Sequence, residues 1–595
     1  MRHAVLVLTD RDRGLILRDQ ATAWHPRTDT NGGRLMLQSH ETEVLVVGGG
    51  LTGLSCALFL AHHGVRCTLV ERHPDLLSHP RQRSLVPRLM EVYRQVGLES
   101  RIQKNRVDFA SAAEYTAIRA ETLASARYLP VDQQDDAART AAFSPCTGTP
   151  IDQNRVEALL RTRARELGAR IRFGTELLGL ARHEGGVEAR LRELDGAGHR
   201  LVARYVVAAD GGRSPVRHLL GIPMDGPVDF FRLLTLMVDA DLRPALAGRT
   251  AHMAFLDRPR PRTYLMALDR TGQRWVFGTT DGPGDAAPDE DECIELVRAA
   301  AGLPAVPVVL RPQIPGTART VLRFEVGAAV AATYRKGPVF LIGDAAHLMP
   351  PTGGFGGVVG VEDAHNLAWK LAAVVHGHAG EGLLDTYEDE RRPVAAFALR
   401  QALARYRSRL APGETLAQLP MADEQPVDRS TVMMGHRYRS TAVAGGVSDD
   451  RSTAVAGGVS DPAAPAEVSG LCGDPGTRAP HLPLAGSAER STIDLYGGRF
   501  VLLAGPDGQD WVTAAGKLPL PVTARRFGTD LAAAGTPAAD AAARHGIGAG
   551  GAVLVRPDGF VAWRSTGPAA DPAAELLAAF TAILSRDQAA PPRTG

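Results

Sequence analysis

The residues Val44-Leu45-Val46-Val47-Gly48-Gly49-Gly50-Leu51-Thr52-Gly53 constrain this chain more than any others. Residues 44–47 form a short β-branched, apolar run of the kind buried in a parallel sheet. Gly48, Gly50 and Gly53 follow at GxGxxG spacing. Residues 54–63 then offer a helix of small and apolar residues, and 66–70 a second strand ending at Glu71. Each position has a physical task. Gly48 permits the tight turn, Gly50 lets backbone approach a pyrophosphate, and Gly53 lets helix and strand pack closely. The helix start, with Leu51 and Thr52, supplies N–H donors and a positive dipole end for phosphates. Glu71, followed by Arg72, can accept hydrogen bonds from ribose hydroxyls. Strand, turn, helix, second strand and acid in this order predict a dinucleotide-binding unit rather than a glycine turn without a ligand.

The rest of the composition mainly excludes. With 67 Lys plus Arg against 66 Asp plus Glu, the net charge of +1 gives no basis for nucleic-acid or membrane binding. Five widely spaced cysteines (Cys56, Cys67, Cys146, Cys293, Cys472) include no CxxC pair, so neither a disulfide framework nor a metal site is indicated. A reducing, cytoplasmic setting fits such cysteine usage. No apolar run approaches the ~18 residues that span a bilayer, and the short patch at 4–8 is too brief for a secretory signal. Residues 1–35 fit no βαβ pattern. Met36 stands where such domains usually begin, so 1–35 reads as a poorly ordered extension.

Along the chain, a helix is expected at 89–96, a polar stretch to about 150, a helix at 153–167, a strand at 170–173, and a hairpin of 186–191 with 200–208. From 233 to 279 four strands follow without helices between them (233–238, 252–256, 263–268, 275–279), which implies an inserted antiparallel sheet. The chain returns to the first domain at 339–342, and helices follow at 361–375 and 387–406. The division read from this is 36–222 with 320–410 for the nucleotide domain, 223–319 for the insert, 411–479 for a linker, and 480–595 for a small α/β domain. In the linker, residues 439–449 recur at 451–461. Two copies are too few for a repeat architecture and read as a duplication looped out on the surface.

Two further motifs carry chemistry. Residues 205–217 form a β-branched run ending in Asp210-Gly211, with Arg213, Ser214 and Arg217 beyond it. Residues 339–347 end a strand at Gly343-Asp344, with His347 after it, and Pro350-Pro351-Thr352-Gly353-Gly354-Phe355-Gly356-Gly357 follow. An aspartate at a strand end can bind a sugar hydroxyl, and a glycine loop lets backbone amides lie against a flat ring. His347 reads as a hydrogen-bonded structural histidine rather than a base.

These three motifs, in this order, resemble the single-component FAD-dependent aromatic hydroxylases of the p-hydroxybenzoate hydroxylase fold, over about 40–405. Glu362-Asp363-Ala364-His365-Asn366-Leu367-Ala368-Trp369-Lys370-Leu371 and Tyr387-Glu388-Asp389-Glu390-Arg391-Arg392-Pro393 also look like that family. The branch that tailors aromatic polyketides, with a C-terminal thioredoxin-like domain, is similar to residues 480–586, including Leu554-Val555-Arg556-Pro557-Asp558-Gly559. The resemblance implies an α/β fold with a Rossmann-like, glutathione-reductase-type FAD domain, an inserted antiparallel substrate domain and a thioredoxin-like C-terminal domain, which without CxxC is redox-inert.

Carried over residue by residue, the resemblance places the FAD pyrophosphate at Gly48, Gly50 and Gly53 and the adenosine ribose at Glu71. It places Gln153 and Arg155 against FAD, the three-motif crevice at Asp210, Gly211 and Gly343, and the flavin-side ribose at Asp344. Pro351, Gly353, Gly354, Phe355, Gly356, Gly357 and Val358 line the isoalloxazine. Arg81 or Arg83 contacts the phosphates or the incoming nicotinamide. The family usually has Asn-Thr where this chain has Val358-Val359, which removes a side-chain amide from the pyrimidine edge. The substrate pocket is expected between the inserted sheet and the flavin, drawn from Phe230, Phe231, Leu233, Leu236, Met253, Phe255, Tyr264 and Met266, about half of which line it because strand residues alternate in facing.

The implied reaction uses NADPH or NADH to reduce FAD, and O2 to form a C4a-hydroperoxide that hydroxylates a polycyclic, polyketide-like ring. No catalytic base is named, and the chain is expected as a monomer or homodimer. Baeyer–Villiger insertion or epoxidation on the same fold, or a non-catalytic flavin-binding role in a biosynthetic complex, are the alternatives. A flavin halogenase lacks support because no Trp-x-Trp-x-Ile-Pro segment is present.

Overall fold

The computed structural model describes residues 42–586 other than 80, 108–116, 127–135, 249–250, 270, 282–285, 315, 408–423, 445–464, 487–488 and 519. The extension 1–35 and the position of Met36 lie outside the described residues.

The strand Thr42–Val47 is the centre of a parallel sheet. Cys67–Glu71 pairs with it on one side and Gly198–Ala208 on the other, and Arg170–Phe173 and Val339–Leu341 extend the sheet outward. At the centre of the sheet, residues 44–47, 69–70 and 205–208 and the strand Val339–Leu341 are apolar and buried, as a parallel sheet packed on both faces requires. The edge strand Arg170–Phe173 instead alternates with exposed arginines. Val47 lies opposite Val70 and Ala208, and Leu341 opposite Ala208. Three adjacent strands therefore end together, so that Gly48, Ala209 and Ile342 open on one crevice, where open α/β sheets bind ligands. The helices Leu51–His62, Gln153–Glu166 and Phe355–Val375 pack around that edge. The last begins at Phe355, nearly two turns before the expected 361, because the glycine loop itself winds into helix. A strand absent from the sequence reading, Thr175–His183, pairs with Gly186–Glu193, which in turn pairs with Gly198–Ala208.

The inserted sheet centres on Phe231–Asp239. Arg274–Asp281, Thr263–Ala267 and Met253–Leu256 follow on one side, and Val309–Arg311 and Val321–Val326 pair on the other. Ala117–Ala120, from the stretch read as polar loop, adds a parallel edge strand beside Met253–Leu256. One face of this sheet is a core. Leu234, Leu236, Val238, Ala254, Leu265, Trp275 and Phe277 bury against Cys293, Val297 and Ala300 of the helix Glu290–Ala301. That helix opens with a capping box in which Asp289 and Glu292 satisfy each other's backbone N–H.

The C-terminal domain is thioredoxin-like. Val522–Arg526 runs parallel to Phe500–Ala504, Ala552–Val555 runs antiparallel to it, and Val561–Ser565 closes the edge. Its packing is continuous with the first domain: Trp369 meets the Phe500 ring edge-on at 5.8 Å, and Phe500 lies 5.0 Å from Phe580 of Pro572–Ile583. One expectation is corrected here. The described part of the first duplicated copy is not a surface loop. Ala442 and Val443 are buried, Ala444 N–H bonds to Ala562 O at 2.8 Å, and Ser440 Oγ donates to Glu390 at 2.6 Å. The segment threads between the two domains because its small residues fit a closed space. The second copy lies outside the described residues.

Candidate functional site

The first turn is a matter of close approach. Gly48 has φ +110°, and a Cβ there would lie 2.2 Å from Ala209 O; a Cβ on Gly53 would lie 2.0 Å from Gly48 O. Gly50 is different. Its backbone is extended (φ −79°, ψ −174°), and nothing stands within 4 Å of where its Cβ would be. A cradle is thus left open at the start of Leu51–His62, where orphan N–H groups and the helix dipole favour an anion.

At the end of the second strand, Glu71 Oε2 accepts from Gly49 N–H at 2.6 Å, and Oε1 accepts from His73 N–H at 2.9 Å and sits 2.5 Å from its Nδ1. Burial alone would raise this carboxyl, but the bonds from His73 and Gly49 outweigh it and hold it below its ordinary value. Glu71 therefore stays ionised beside the turn, as an acceptor for hydroxyls requires. Arg72 beside it is exposed.

The second motif locks the turn to the third. Asp210 accepts from Ser214 Oγ at 2.6 Å and from Val216 N–H at 2.9 Å, and burial raises its carboxyl despite these bonds. Gly211, at φ +84°, has open space where a side chain would stand. Buried Arg217 donates to Ala345 O at 2.9 Å and to Gly212 O at 2.8 Å, which fastens the two strand ends together. Sequence reading quoted Arg217 without giving it a task, and its regular spacing after Asp-Gly was the only signal. Arg217→Met is expected to cost about 1–3 kcal/mol for each carbonyl left unpaired and to weaken FAD binding with it, read by unfolding and by flavin titration.

The third motif meets the first directly. A Cβ on Gly343 would lie 2.8 Å from Thr52 Oγ1, and one on Gly360 would lie 2.7 Å from the same atom. Asp344 is exposed at this junction, and no hydrogen bond to its carboxylate is found among the described residues. Gly353 and Gly354 take positive φ and turn the chain into the helix, and the turn is closely packed: a Cβ on Gly353 would lie 2.4 Å from the Phe355 ring, and one on Gly357 2.6 Å from Gln82 Oε1 and 3.5 Å from Leu51. Pro351 is exposed at the rim, while Val358 and Val359 are buried at 1% and 4%. His347 is fully buried with Nε2 2.8 Å from Asp363 Oδ2, which is the structural role expected for it.

Of the two arginines, Arg83 is engaged: Nε bonds to Asp152 Oδ1 at 2.7 Å and Nη1 to Ala267 O, which ties the segment to the inserted sheet. Arg81 is exposed and has no ion pair among the described residues. Gln153 Nε2 donates to Glu157 at 2.7 Å, and Arg155 is exposed with Nη1 3.5 Å from Asn105 O.

The second face of the inserted sheet looks the other way from the helix Glu290–Ala301, with Met237, Val276 and Met266 buried and Met253 and Tyr264 partly buried against them. Cross-strand pairing lines up Met237, Val276, Met266 and Met253 in one row, and Thr235, Gly278, Tyr264 and Phe255 in the next. Tyr264 lies flat on Gly278, where a Cβ would meet its ring at 2.2 Å. Phe231 and Leu233 share this face by alternation. The Phe231 ring stacks 5.6 Å from Tyr406, and Phe230 meets the same ring at 5.3 Å. Tyr406 lies one turn past Ala402, whose carbonyl accepts from Thr352 Oγ1 at 2.5 Å in the glycine loop. Leu236 is corrected: its parity puts it in the core under the helix, at 0% exposure.

Two family models match, the FAD binding domain over residues 41–402 and the aromatic-ring hydroxylase C-terminal domain over 473–586. The chain belongs to the FAD-dependent aromatic-ring hydroxylases. It is 40% identical to a 4-methyl-5-nitrocatechol 5-monooxygenase of Burkholderia sp, covering 92% of this chain and 98% of the relative. It is 38% identical to aklavinone 12-hydroxylase RdmE of Streptomyces purpurascens, covering 92% and 100%. A solved ternary complex of aklavinone-11 hydroxylase with FAD and aklavinone superposes with a TM-score of 0.80 at 36% identity, covering 92% of this chain and 100% of that one. The protein is therefore an FAD-dependent aromatic monooxygenase. The residues present fit the cofactor: an open cradle at Gly50, an ionised Glu71 and an exposed Asp344 with no hydrogen bond to its carboxylate among the described residues. Among the described residues no helix is long and apolar enough to cross a membrane, and no group of three His, Cys, Asp or Glu could hold a metal ion.

Proposed function

We propose that this hydroxylase consumes NADPH or NADH and O2 to hydroxylate an electron-rich ring of a flat, polycyclic, polyketide-like substrate. The observation that carries the substrate class is the second face of the inserted sheet. Met237, Met266 and Met253 in one row beside Tyr264 and Phe255 in the next make an adaptable apolar face suited to fused rings. The names of the aklavinone hydroxylases support the same class. Bound FAD supplies the redox chemistry, accepting hydride from the nicotinamide and activating O2 for transfer of one oxygen atom.

The chain's own residues do the rest. Gly48, Gly50, Gly53, Leu51 and Thr52 seat the pyrophosphate, and Glu71 and Asp344 take the two riboses. Residues 351–357 seat the flavin ring, with the positive end of Phe355–Val375 directed at it. Exposed Arg81 receives the nicotinamide nucleotide, while Arg83 holds the sheet at its working distance. Phe231, Met253, Phe255 and Tyr264 orient the substrate and exclude water. Burial pushes the Tyr264 phenol up to about 12, so at neutral pH it can donate a hydrogen bond but cannot act as the base. Phe231→Ala is expected to raise KM for a polycyclic substrate two- to tenfold, the ~0.5–1.5 kcal/mol of a lost aromatic pair, with FAD affinity unchanged.

The reading is tested by reducing the holoenzyme anaerobically, mixing it rapidly with O2 and following flavin absorbance. A transient band belonging to neither reduced nor oxidised flavin supports oxygen transfer. Direct return to oxidised flavin, with substrate present as well as absent, would sink it. Product structure then separates hydroxylation from Baeyer–Villiger insertion or epoxidation.

A further inference from the structure

Two buried charge clusters cross the boundary between the FAD domain and the C-terminal domain, and both converge on the helix Phe355–Val375. In the first, Glu390 accepts from Lys370 Nζ at 2.8 Å, Asn366 Nδ2 at 2.7 Å, Ser440 Oγ at 2.6 Å, and Arg556 Nη1 and Nη2 at 2.6 and 2.9 Å. Asp558 accepts from Arg556 Nη2 at 2.5 Å, Asn366 Nδ2 at 3.2 Å and Trp369 Nε1 at 3.1 Å. Two cations and two anions balance there, all essentially without exposure.

The second path runs from Phe560, two residues beyond Asp558. Its ring stacks 4.2 Å from Tyr438, whose hydroxyl accepts from Arg391 Nη1 at 2.9 Å. Arg391 Nε donates to Asp363 Oδ1 at 2.9 Å and Nη2 to Val359 O at 3.1 Å. Asp363 Oδ2 then accepts from Gly343 N–H at 3.1 Å and lies 2.8 Å from His347 Nε2. Gly343 immediately precedes Asp344. The path from the C-terminal domain to the ribose-binding turn is thus a stack followed by three direct hydrogen bonds.

We infer that the C-terminal domain is a positioning element for the flavin. The turn at 556–560 holds the flavin helix and the Gly343-Asp344 turn in the register that binds FAD, so docking of this domain and FAD binding are coupled. Residues 480–595 contain no cysteine, so the domain has no thiol chemistry of its own to offer. Adhesion alone would be served by the apolar contacts of Trp369, Phe500 and Phe580; buried charges paired by several directional hydrogen bonds add one preferred geometry. Coupling is reciprocal, so whatever loosens the turn weakens FAD by the same factor that FAD strengthens docking.

The test uses full-length protein stripped of FAD and titrated with FAD by flavin fluorescence, with the flavin midpoint potential read on the reloaded enzyme. Asp558→Asn is expected to weaken FAD at least tenfold. Tyr438→Phe, which keeps the ring and removes only the acceptor for Arg391, is expected to weaken it about threefold, and both shift the potential. Asp494→Asn is the control. It breaks the two-bond bridge to Arg94, 2.6 and 2.9 Å, which joins the same two domains away from the flavin helix, and it is expected to stay within twofold. Unchanged affinity and potential in Tyr438→Phe overturn the inference even where Asp558→Asn does not fold. Equal loss in Asp494→Asn overturns it too, as a general consequence of loosened docking.

Discussion

Gly50→Ala is expected to fold as the FAD-free wild type does and to lose FAD affinity at least 100-fold, about 2.7 kcal/mol. The backbone at Gly50 is in a region any residue adopts, and no protein atom lies within 4 Å of the new methyl group. Stability therefore stays within about 0.5 kcal/mol. What the methyl is expected to meet is the pyrophosphate proposed to sit here, which must approach the helix start closely to use its N–H donors. Gly48→Ala is the contrast. It forces a side chain onto a φ of +110° and onto Ala209 O at 2.2 Å, so it damages the apo-protein as well. Melting of the apo forms and a flavin titration separate the two. FAD binding at wild-type strength by Gly50→Ala would mean that the pyrophosphate lies elsewhere.

Glu390→Gln is expected to cost about 3–5 kcal/mol at pH 7, the penalty for leaving buried cations short of a partner. Burial alone would raise the Glu390 carboxyl, but Arg556 and Lys370 outweigh it and hold it far below its ordinary value. A carboxyl depressed in the folded state stabilises fully above its unfolded pKa of about 4.3, and the contribution is lost as pH falls toward the folded value. The gap between wild type and variant is therefore expected to narrow below about pH 4, and it also varies toward pH 8, because burial holds Lys370 down to about 8 even with Glu390 beside it and lower once that charge is gone. Denaturation midpoints across that range measure it, and a gap that did not narrow in acid would mean that Glu390 carries no such charge.

Much of this was legible where one residue type has one use. The strand–turn–helix at 44–63 calls for glycines at 48, 50 and 53 for three different spatial reasons; the close approaches at Gly48 and Gly53 are visible in the structure, and at Gly50 the space is open. The two later motifs could be ordered along the chain, and the resemblance they carry named the family that the comparisons confirm. Face assignment failed at Leu236 because 233–238 holds five apolar residues broken only by Thr235 and carries no alternation to read; its parity is fixed only by the helix Glu290–Ala301 packed beneath. Thr175–His183 escaped because Leu177, Leu178, Leu180 and Ala181 follow no strict alternation, with Gly179 at a register shift between them. The tasks of Arg217, Asp363 and Arg391 could not be read at all, since their partners lie 128, 20 and 28 residues away and no local pattern announces a buried ion pair.

The placement of Thr42–Val47 at the centre of its sheet also governs how the molecule is made. On one side the strand waits for residues 203–208, and the sheet beyond them is extended only at 339–341. Glu390 and Trp369 wait longer for their last partners, until Arg556 and Asp558 have emerged. Through most of synthesis the nascent chain therefore exposes apolar strands and uncompensated charges whose partners do not yet exist. Pairings this distant in sequence slow folding and prolong exposure to aggregation. A ribosome-bound chain ending before residue 560 is expected to remain protease-sensitive over the flavin domain even with FAD supplied, and to become resistant only once the last turn is free.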